Sequence, residues 1–429
     1  PVPLWSTCTA VHEGLARGKE LGFPLLVRPS FVLGGQAMEI VRNETELAGA
    51  IGRALLASTG GHPILLDRYL EGAREYDLDL LCDGKETYIP AVMEHLEEAG
   101  VHSGDSTTVI PPRRLDALAE EHMRALASRI ALRLGVVGLL NIQFALLEGV
   151  LHVIEVNPRS SRSVPFVTKA TGVPMASLAA RLALGRSLSE LKAQFPVKAA
   201  ARFCVKGPVF PFHKFPGVLP VLGPQMQSIG ESMSLGEEFG EALAKSFASK
   251  GAPLAAVDTL VVVAPLRALA GWKDAFDLLA PSFASGALRI VCDTLTQEDA
   301  VRAGVGAVPW IVRNDADLVR EVEDKRGAFV LTPTLVGHLG TRTPLAHRLL
   351  RTALRKRVPF SNSCHSLEGL AAAFSEGHAQ TSSPSRWTLV PLSHAGAIEN
   401  SSASCPPLTT KQAVVSMVDA TKHSDGVHP

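Results

Sequence analysis

Apolar residues recur along this chain at two different periods, and the places where the period changes mark out its elements. Residues 10–22 carry apolar positions at helical spacing and stop at Gly22, the pattern of an amphipathic helix with a glycine at its end. Leu25-Leu26-Val27-Arg28 is a short buried strand, and residues 38–41 return as a second strand after Gly34-Gly35. The glycine pair permits a tight turn and close backbone approach to a ligand, so the stretch predicts a glycine-tipped hairpin. A helix over 44–57 follows, then strands over 63–70, 75–82 and 86–93, the last two joined by a turn at Asp83-Gly84. Residues 115–134 predict a long helix. Two further strand-like runs, Leu139 to Ala145 and Val150 to Asn157, precede helices near 165–171 and 174–184. A β-rich plan with interspersed helices is an α+β layout and not a doubly wound one.

The pattern loosens over 185–250, where Pro208, Pro211, Pro216, Pro220 and Pro224 punctuate a segment with little helical period before about 236. From 258 it changes again. Strands at 260–263, 288–292, 308–312, 328–331 and 358–361 alternate with helices at 267–280, 297–303, 315–325, 344–357 and 366–374. Strict β/α alternation predicts a separate small parallel α/β domain. After about 376 the chain is rich in Ser, Thr, Pro and His, a composition that cannot build a core. The expected domains are 1–184, a remainder of the same unit with a linker over 185–257, the parallel domain over 258–376, and a disordered or loosely attached tail over 377–429.

Composition narrows the classes. A length of 429 residues allows two or three domains, and 46% hydrophobic residues suffice for a large buried core. Lys+Arg and Asp+Glu are each 42, so no overall basic field attracts nucleic acid. The longest basic cluster, Arg351 to Arg357, reads as a solvated helix face. Cys8, Cys82, Cys204, Cys292, Cys364 and Cys405 lie too far apart for a CxxC metal or redox motif. Their scatter suits a reducing, cytoplasmic setting. No apolar run reaches ~18 residues, so no membrane-spanning helix is expected. There is no signal peptide to discount. The chain starts at Pro1 and enters at once into structured-looking sequence, as a fragment of something longer, or a processed or incomplete chain, would.

The strongest chemical signal is Val150-Leu151-His152-Val153-Ile154-Glu155-Val156-Asn157-Pro158-Arg159. Side chains at i and i+2 of a strand share a face, so Glu155 and Asn157 can present hard oxygens to one site. Gln143, on the strand just upstream, can supply a third. Such donors suit Mg²⁺ held between protein and nucleotide phosphates. Arg159 and Arg162 follow directly and can clamp a transferring phosphoryl group. A strand end with solvent-facing polar residues is the plainer account of the same letters.

Three weaker signals accompany it. Arg28, ending a strand before Gly34-Gly35, can neutralise phosphates while the loop amides cover them; an ordinary surface hairpin would look the same. Asp67-Arg68-Tyr69-Leu70 with Glu75 has the composition of a connector between lobes that holds an adenine and its ribose, or of a plain strand pair with exposed charges. Met93 to Ser106 packs two histidines, three glutamates, Asp105, two glycines and two serines into fourteen residues. That is the make-up of a substrate loop, and also of a solvated one.

Together LLVRPSFVLGGQAMEIV, MEHLEEAGVHSGDS, LNIQFA, IEVNPRSSRSVPFVTKATGVP and HKFPGVLPVLGPQM resemble the carboxy-terminal synthetic half of the carbamoyl phosphate synthase large subunit, from near Trp5 to about Phe247. The resemblance implies an α+β ATP-grasp fold, in which two lobes clamp ATP. It implies phosphorylation of carbamate to carbamoyl phosphate with ATP and Mg²⁺ (or Mn²⁺), in a ligase serving pyrimidine or arginine biosynthesis. The family's amino-terminal synthetic half, which makes carbamate, and the small lobe preceding this one are missing. A glutamine amidotransferase subunit or domain is the implied partner.

Carried over by motif, Arg28 matches the phosphate-side arginine. Arg68, Leu70 and Glu75 match the adenosine stretch, although histidine is common in the family where Arg68 stands. Gly100, Val101, His102 and Ser103 match the nucleotide loop. Gln143, Glu155 and Asn157 match the metal ligands, with Gln143 and Glu155 also facing nucleotide, and Arg159 and Arg162 match the catalytic arginines. Residues 258–376 resemble the methylglyoxal-synthase-like regulatory domain of the same subunit through Phe329 to Thr334 and Val358 to Asn362. The anion-binding turn that usually reads Thr-His-Gly-Thr is Asp293-Thr294-Leu295-Thr296 here, without its glycine. Three other functions compete: another ATP-grasp carboxylate ligase, such as a biotin-carboxylase relative, a nucleotide-binding regulatory module without chemistry, and an assembly segment of a multifunctional pyrimidine enzyme.

Overall fold

The computed structural model describes residues 1–377 apart from 32–33, 59–60, 197–201, 216–217, 251–253, 306, 325–326, 333–342, 357 and 362–364. The expected disordered tail therefore lies, but for Gly377, outside the described residues.

The first lobe runs through β1 (Trp5–Cys8), α1 (Val11–Leu21), β2 (Leu25–Arg28), β3 (Glu39–Val41), α2 (Glu44–Ala57) and β4 (Ile64–Arg68). Its antiparallel sheet has the order β1-β4-β2-β3. Alternation decides its faces. Leu25, Val27, Ile64 and Leu66 point toward α1 and α2, against Leu47, Ala50 and Ile51. Leu26 and Arg28 are left on the opposite face. Helix α2 begins at Asn43, whose side chain accepts a hydrogen bond from the Glu46 N–H.

The second lobe is larger. It contains β5 (Arg74–Asp83), β6 (Thr87–Tyr88), β7 (Val92–His95), β8 (Thr108–Ile110), α3 (Ala117–Arg133), β9 (Val137–Leu147), β10 (Val150–Asn157), α4 (Val164–Thr171), α5 (Met175–Ala183), α6 (Leu188–Lys192), β11 (Phe203–Val209), β12 (Gly230–Gly236) and α7 (Phe239–Ser249). The sheet order is β10-β9-β5-β7-β8-β11-β12, with β6 paired to β5. Helix α3 covers one face through Met123, Ala127 and Ala131, against Tyr76, Leu78, Leu80, Ile142 and Phe144. Helices α4 to α6 cover part of the other through Phe166, Val167, Leu178 and Leu188, against Leu81 and Met93. The rest of that second face is polar.

Two expectations are corrected here. The single strand over 86–93 is two, interrupted at Pro90, which cannot donate to a ladder. The irregular part of 185–250 supplies α6, β11 and β12, while α7 follows where helical period was expected to return. Pro208 sits inside β11 because β8 pairs that strand only over Cys204–Lys206, so one side is open where the proline falls.

The third part alternates β13 (Thr259–Val262), α8 (Leu266–Gly271), α9 (Lys273–Asp277), α10 (Ala280–Ala284), β14 (Arg289–Cys292), α11 (Thr294–Arg302), β15 (Trp310–Val312), α12 (Asp315–Asp324), β16 (Ala328–Leu331), α13 (Thr343–Lys356), β17 (Phe360–Ser361) and α14 (His365–Gly377). Its sheet is parallel throughout, in the order β15-β14-β13-β16-β17. The helix expected over 267–280 is broken into short pieces. Pro281 lacks the N–H that would continue a helix and opens α10 instead.

Helix α14 packs on α7, and the seam is charged. Arg113 donates to both Glu368 oxygens at 3.1 and 2.7 Å and lies 3.8 Å over the Phe239 ring. Burial alone would push the Glu368 carboxyl up, but His365 and Arg113 outweigh it and hold it below its usual range. Arg113→Ala removes a largely buried ion pair and a cation–π contact together. We expect a loss of about 2–3 kcal/mol in urea unfolding of this seam. A loss below experimental error would mean the pair is dispensable.

Candidate functional site

The two antiparallel sheets face each other across a cleft of about 360 Å³. The first lobe contributes Leu26, Arg28, Leu65 and Asp67. The connector contributes Arg68, Tyr69 and Leu70, and the second lobe Glu75, Gly100, Ala145 and Ile154. Arg28, Arg68, Leu70, Glu75 and Gly100, five of the residues singled out from the sequence, thus reach one cavity. Apolar walls with few polar groups suit a flat ring and its sugar. The Arg28 Nε lies 2.6 Å from Asp67 Oδ2. Burial pushes the Asp67 carboxyl up, against the pull of Arg28. Tyr69 donates its hydroxyl to the Ala99 carbonyl, and the Gly100 N–H donates to Glu75 Oε1 at 3.1 Å. The nucleotide-loop candidate is thereby tied to both the connector and β5. The Val101 side chain packs with Phe212 and Leu222, away from the cleft.

Beyond the cleft, the pleat of β5 places Glu75, Asp77 and Asp79 on one face. The ladder pairs Asp77 with Gln143 and Asp79 with Asn141, while β10 pairs Glu155 with Gln143 and Asn157 with Asn141. Two rows result: Asp77-Gln143-Glu155 and Asp79-Asn141-Asn157. A register shift between Val153 and Glu155 brings Glu155 opposite Gln143. The Gln143 amide nitrogen is 3.5 Å from Asp77 Oδ2, which turns its oxygen the other way. Asp77 Oδ1 is buried without a hydrogen-bond partner. Hard oxygens in adjacent rows, one of them orphaned, fit a divalent cation. Among the described residues no cluster of three His, Cys, Asp or Glu side chains forms a metal site, so amide oxygens are needed to complete one.

Asp77, Asp79 and Lys206 lie beside these rows and were not singled out from the sequence, whereas His95 falls in the Met93–Ser106 stretch that was. Buried His95 lies 3.2 Å from Asp77 and 3.5 Å from Glu75. Burial alone would lower its pKa, but the two carboxylates outweigh it and raise it to about 10. A folded pKa above the ordinary 6.5 means that this group's stabilisation is complete below 6.5 and fades as pH rises through about 10. Melting temperatures followed from pH 6 to 10 should fall more steeply in the parent chain than in His95→Asn. Parallel curves would remove the charged histidine from the account.

The loop after β7 is pinned from three sides. His102 Nδ1 accepts the Gly104 N–H at 3.0 Å, and the His102 backbone N–H donates to the Gly223 carbonyl at 2.8 Å. Burial lowers the His102 pKa, with Asp105 and Glu155 acting against it and Arg162 with it. His102, Glu155 and Arg162 therefore share one local field. The Lys206 Nζ donates to the Ser103 carbonyl at 3.1 Å, and burial lowers its pKa. Asp105 accepts the Gln227 and Ser228 N–H groups at 2.7 and 2.8 Å. The same segment meets the first lobe, where Met226 N–H donates to the Gly34 carbonyl at 3.0 Å. The glycine hairpin thus closes onto residues 224–226. Arg162 lies against the Met226 sulfur, and Arg159 donates to Asn157 Oδ1 at 3.0 Å.

Residues 4–191 match the family described as "Carbamoyl-phosphate synthase L chain, ATP binding domain". The chain is 36% identical over 407 residues to the carbamoyl phosphate synthase large chain of Thermotoga neapolitana, covering 86% of this chain and 37% of that one. It is 44% identical over 265 residues to the "Carbamoyl phosphate synthase large chain, C-terminal section" of Methanocaldococcus jannaschii, covering 60% and 43%. The chain thus spans less than half the length of these relatives. Among solved structures it is similar to the ADP complex of N5-carboxyaminoimidazole ribonucleotide synthetase, with TM-score 0.46 and 16% identity over 57% of this chain and 65% of that one.

Proposed function

We propose, from the premise that residues 4–191 of this chain belong to the ATP-binding domain family of the carbamoyl-phosphate synthase L chain, that its site transfers the γ-phosphoryl group of ATP to carbamate. The products are carbamoyl phosphate and ADP. The observation that carries this reading is the arrangement of Gln143, Glu155 and Asn157 on paired strands, with Arg159 and Arg162 in the turn that follows. An oxygen-rich row beside exposed guanidiniums is what phosphoryl transfer asks of a protein, since its catalysis is positioning and electrostatics without a covalent nucleophile.

In this reading the cleft under Arg28 takes the adenosine, with Leu70 against the base, Arg68 at its rim and Glu75 at the ribose. Gly100, His102 and Ser103 line the path to the phosphates. Gln143, Glu155 and Asn157 would hold Mg²⁺ or Mn²⁺, which when bound neutralises charge on the β- and γ-phosphates. Arg28 and Arg162 oppose the charge of the group in transfer. His102 stays neutral and offers its carbonyl-bound loop as a wall that keeps water from a labile carbamate.

The proposal extends to the rest of the chain and its partners. Carbamate comes from the family's amino-terminal half, fed by a glutamine amidotransferase, and residues 258–376 are a methylglyoxal-synthase-like regulatory domain. Among the described residues no helix is long and apolar enough to cross a membrane.

The test runs the step backwards, as ATP formation from Mg·ADP and carbamoyl phosphate, which needs no carbamate supply. ATP from the folded chain supports the reading. A folded chain that binds Mg·ADP and makes no ATP would favour a nucleotide-sensing module instead.

A further inference from the structure

Asp79 is 1% exposed, in the middle of β5, and no step of the proposed chemistry uses it. Burying a carboxylate is costly unless hydrogen bonds compensate. Its three donors come from two places. Oδ1 accepts from the Ser161 hydroxyl at 2.6 Å and from the Asn141 amide at 3.0 Å, and Oδ2 accepts from the Ser163 hydroxyl at 2.7 Å. The two hydroxyls are 2.8 Å from each other. Asn141 belongs to the neighbouring strand. Ser161 and Ser163 belong to the turn after β10 and flank Arg162.

Ser163 makes the arrangement more telling. It stands at the N-cap of α4, where a serine hydroxyl ordinarily accepts an N–H of the first helical turn. Here it makes no cap bond and points to Asp79 instead. The helix forgoes its side-chain cap, and the turn gains an anchor. Arg159, at the other end of the turn, is held by Asn157 of the same row. Arg162 itself is exposed and touches Met226 with its guanidinium, so the anchoring of its neighbours in sequence sets where its backbone stands.

We propose that Asp79 is a positioning residue that fastens the Arg159–Arg162 turn to β5 and β9, and so fixes the height of Arg162 over the Gln143-Glu155 row. The anchor rests on geometry alone; its catalytic consequence rests on the phosphoryl-transfer reading. The carboxylate acts through the turn it holds, since each of its oxygens accepts a donor from the turn. Burial raises its pKa, and the three donors act against that.

The test uses the whole chain with Ser161→Ala and Ser163→Ala combined, and Asp79→Asn beside it. Amide hydrogen exchange over 158–164, Mg·ADP affinity, and the kcat for ATP formation from Mg·ADP and carbamoyl phosphate are measured together. In the serine pair, exchange over 158–164 should rise and kcat should fall about tenfold or more, while Mg·ADP affinity stays within about twofold, since the adenosine cleft lies at the other end of the strand face. Ser161→Thr with Ser163→Thr, which keeps both hydroxyls, should restore kcat. Unchanged exchange over 158–164 in a folded serine pair overturns the anchor. Loss of kcat and Mg·ADP binding in equal measure, with a fallen melting temperature, overturns it as well and leaves a general structural role. A parent chain that makes no ATP sinks the phosphoryl-transfer reading, while the exchange data still decide the anchor.

Discussion

Replacing Glu155 by alanine is expected to lower ATP formation from Mg·ADP and carbamoyl phosphate by about 10³-fold or more, with the melting temperature nearly unchanged. Of the three oxygen donors proposed for the cation, Glu155 alone carries charge. Without it two neutral amides face a dication and a polyphosphate, and Asp77 stands a strand further away. Glu155 is exposed on β10 and packs in no core, so its loss leaves the fold without a cavity or an orphaned partner. Glu155→Asp should retain part of the activity at raised Mg²⁺, because the charge survives while its reach shortens. Near-parent activity in Glu155→Ala would remove the cation from this row and with it the phosphate assignment.

That Glu155, Asn157 and Gln143 come together on paired strands was legible in the sequence because strand alternation is local. A carboxylate and a carboxamide two residues apart share a face wherever the strand is placed, and an upstream strand of similar length is the nearest partner for it. The register shift that sets Glu155 opposite Gln143 is not visible in the letters, but it preserved the pairing. Glu75, Asp77 and Asp79 alternate just as regularly in Arg74-Glu75-Tyr76-Asp77-Leu78-Asp79, but alternation alone does not say which of them a fold will bury. What buries the last two lies far along the chain. His95 comes from a strand beyond the next hairpin, and Ser161 and Ser163 from a turn after β10. Lys206 stayed hidden for another reason. Prolines around β11 masked the strand that carries it, and a lone lysine in an irregular stretch has no pattern to announce it. Val101 shows what a motif leaves open, since a match by position does not say where the side chain goes, and here it packs in a small apolar cluster. Helical period and β/α alternation placed most elements well, because each depends on neighbours within a turn or two.

Gly35→Ala is expected to lower kcat/KM for the same reaction by about 10²-fold without unfolding either lobe. Gly35 has φ +71, a backbone conformation that alanine adopts only with strain. A methyl group there would also fall 2.0 Å from the Pro224 carbonyl oxygen and 2.8 Å from its carbon. Backbone cannot yield as a flexible side chain can, so the hairpin tip must lift from residues 224–226. The bond from Met226 N–H to the Gly34 carbonyl would go with it. The effect stays local because β2 and β3 are paired through Leu25–Val41 and Val27–Glu39, well below the tip. It reaches the chemistry because residues 223–228 also hold the His102 loop through Gly223 and Asp105 and touch Arg162. One segment therefore joins the glycine hairpin, the His102 loop and the arginine turn. On the proposed reading, lifting the hairpin would admit water above the phosphates and loosen the Arg162 side of the row. Far-UV circular dichroism should be unaltered, and Mg·ADP should bind more weakly with faster release in stopped-flow displacement. Unchanged kcat/KM would show that the hairpin closes by some route other than its contact with residues 224–226.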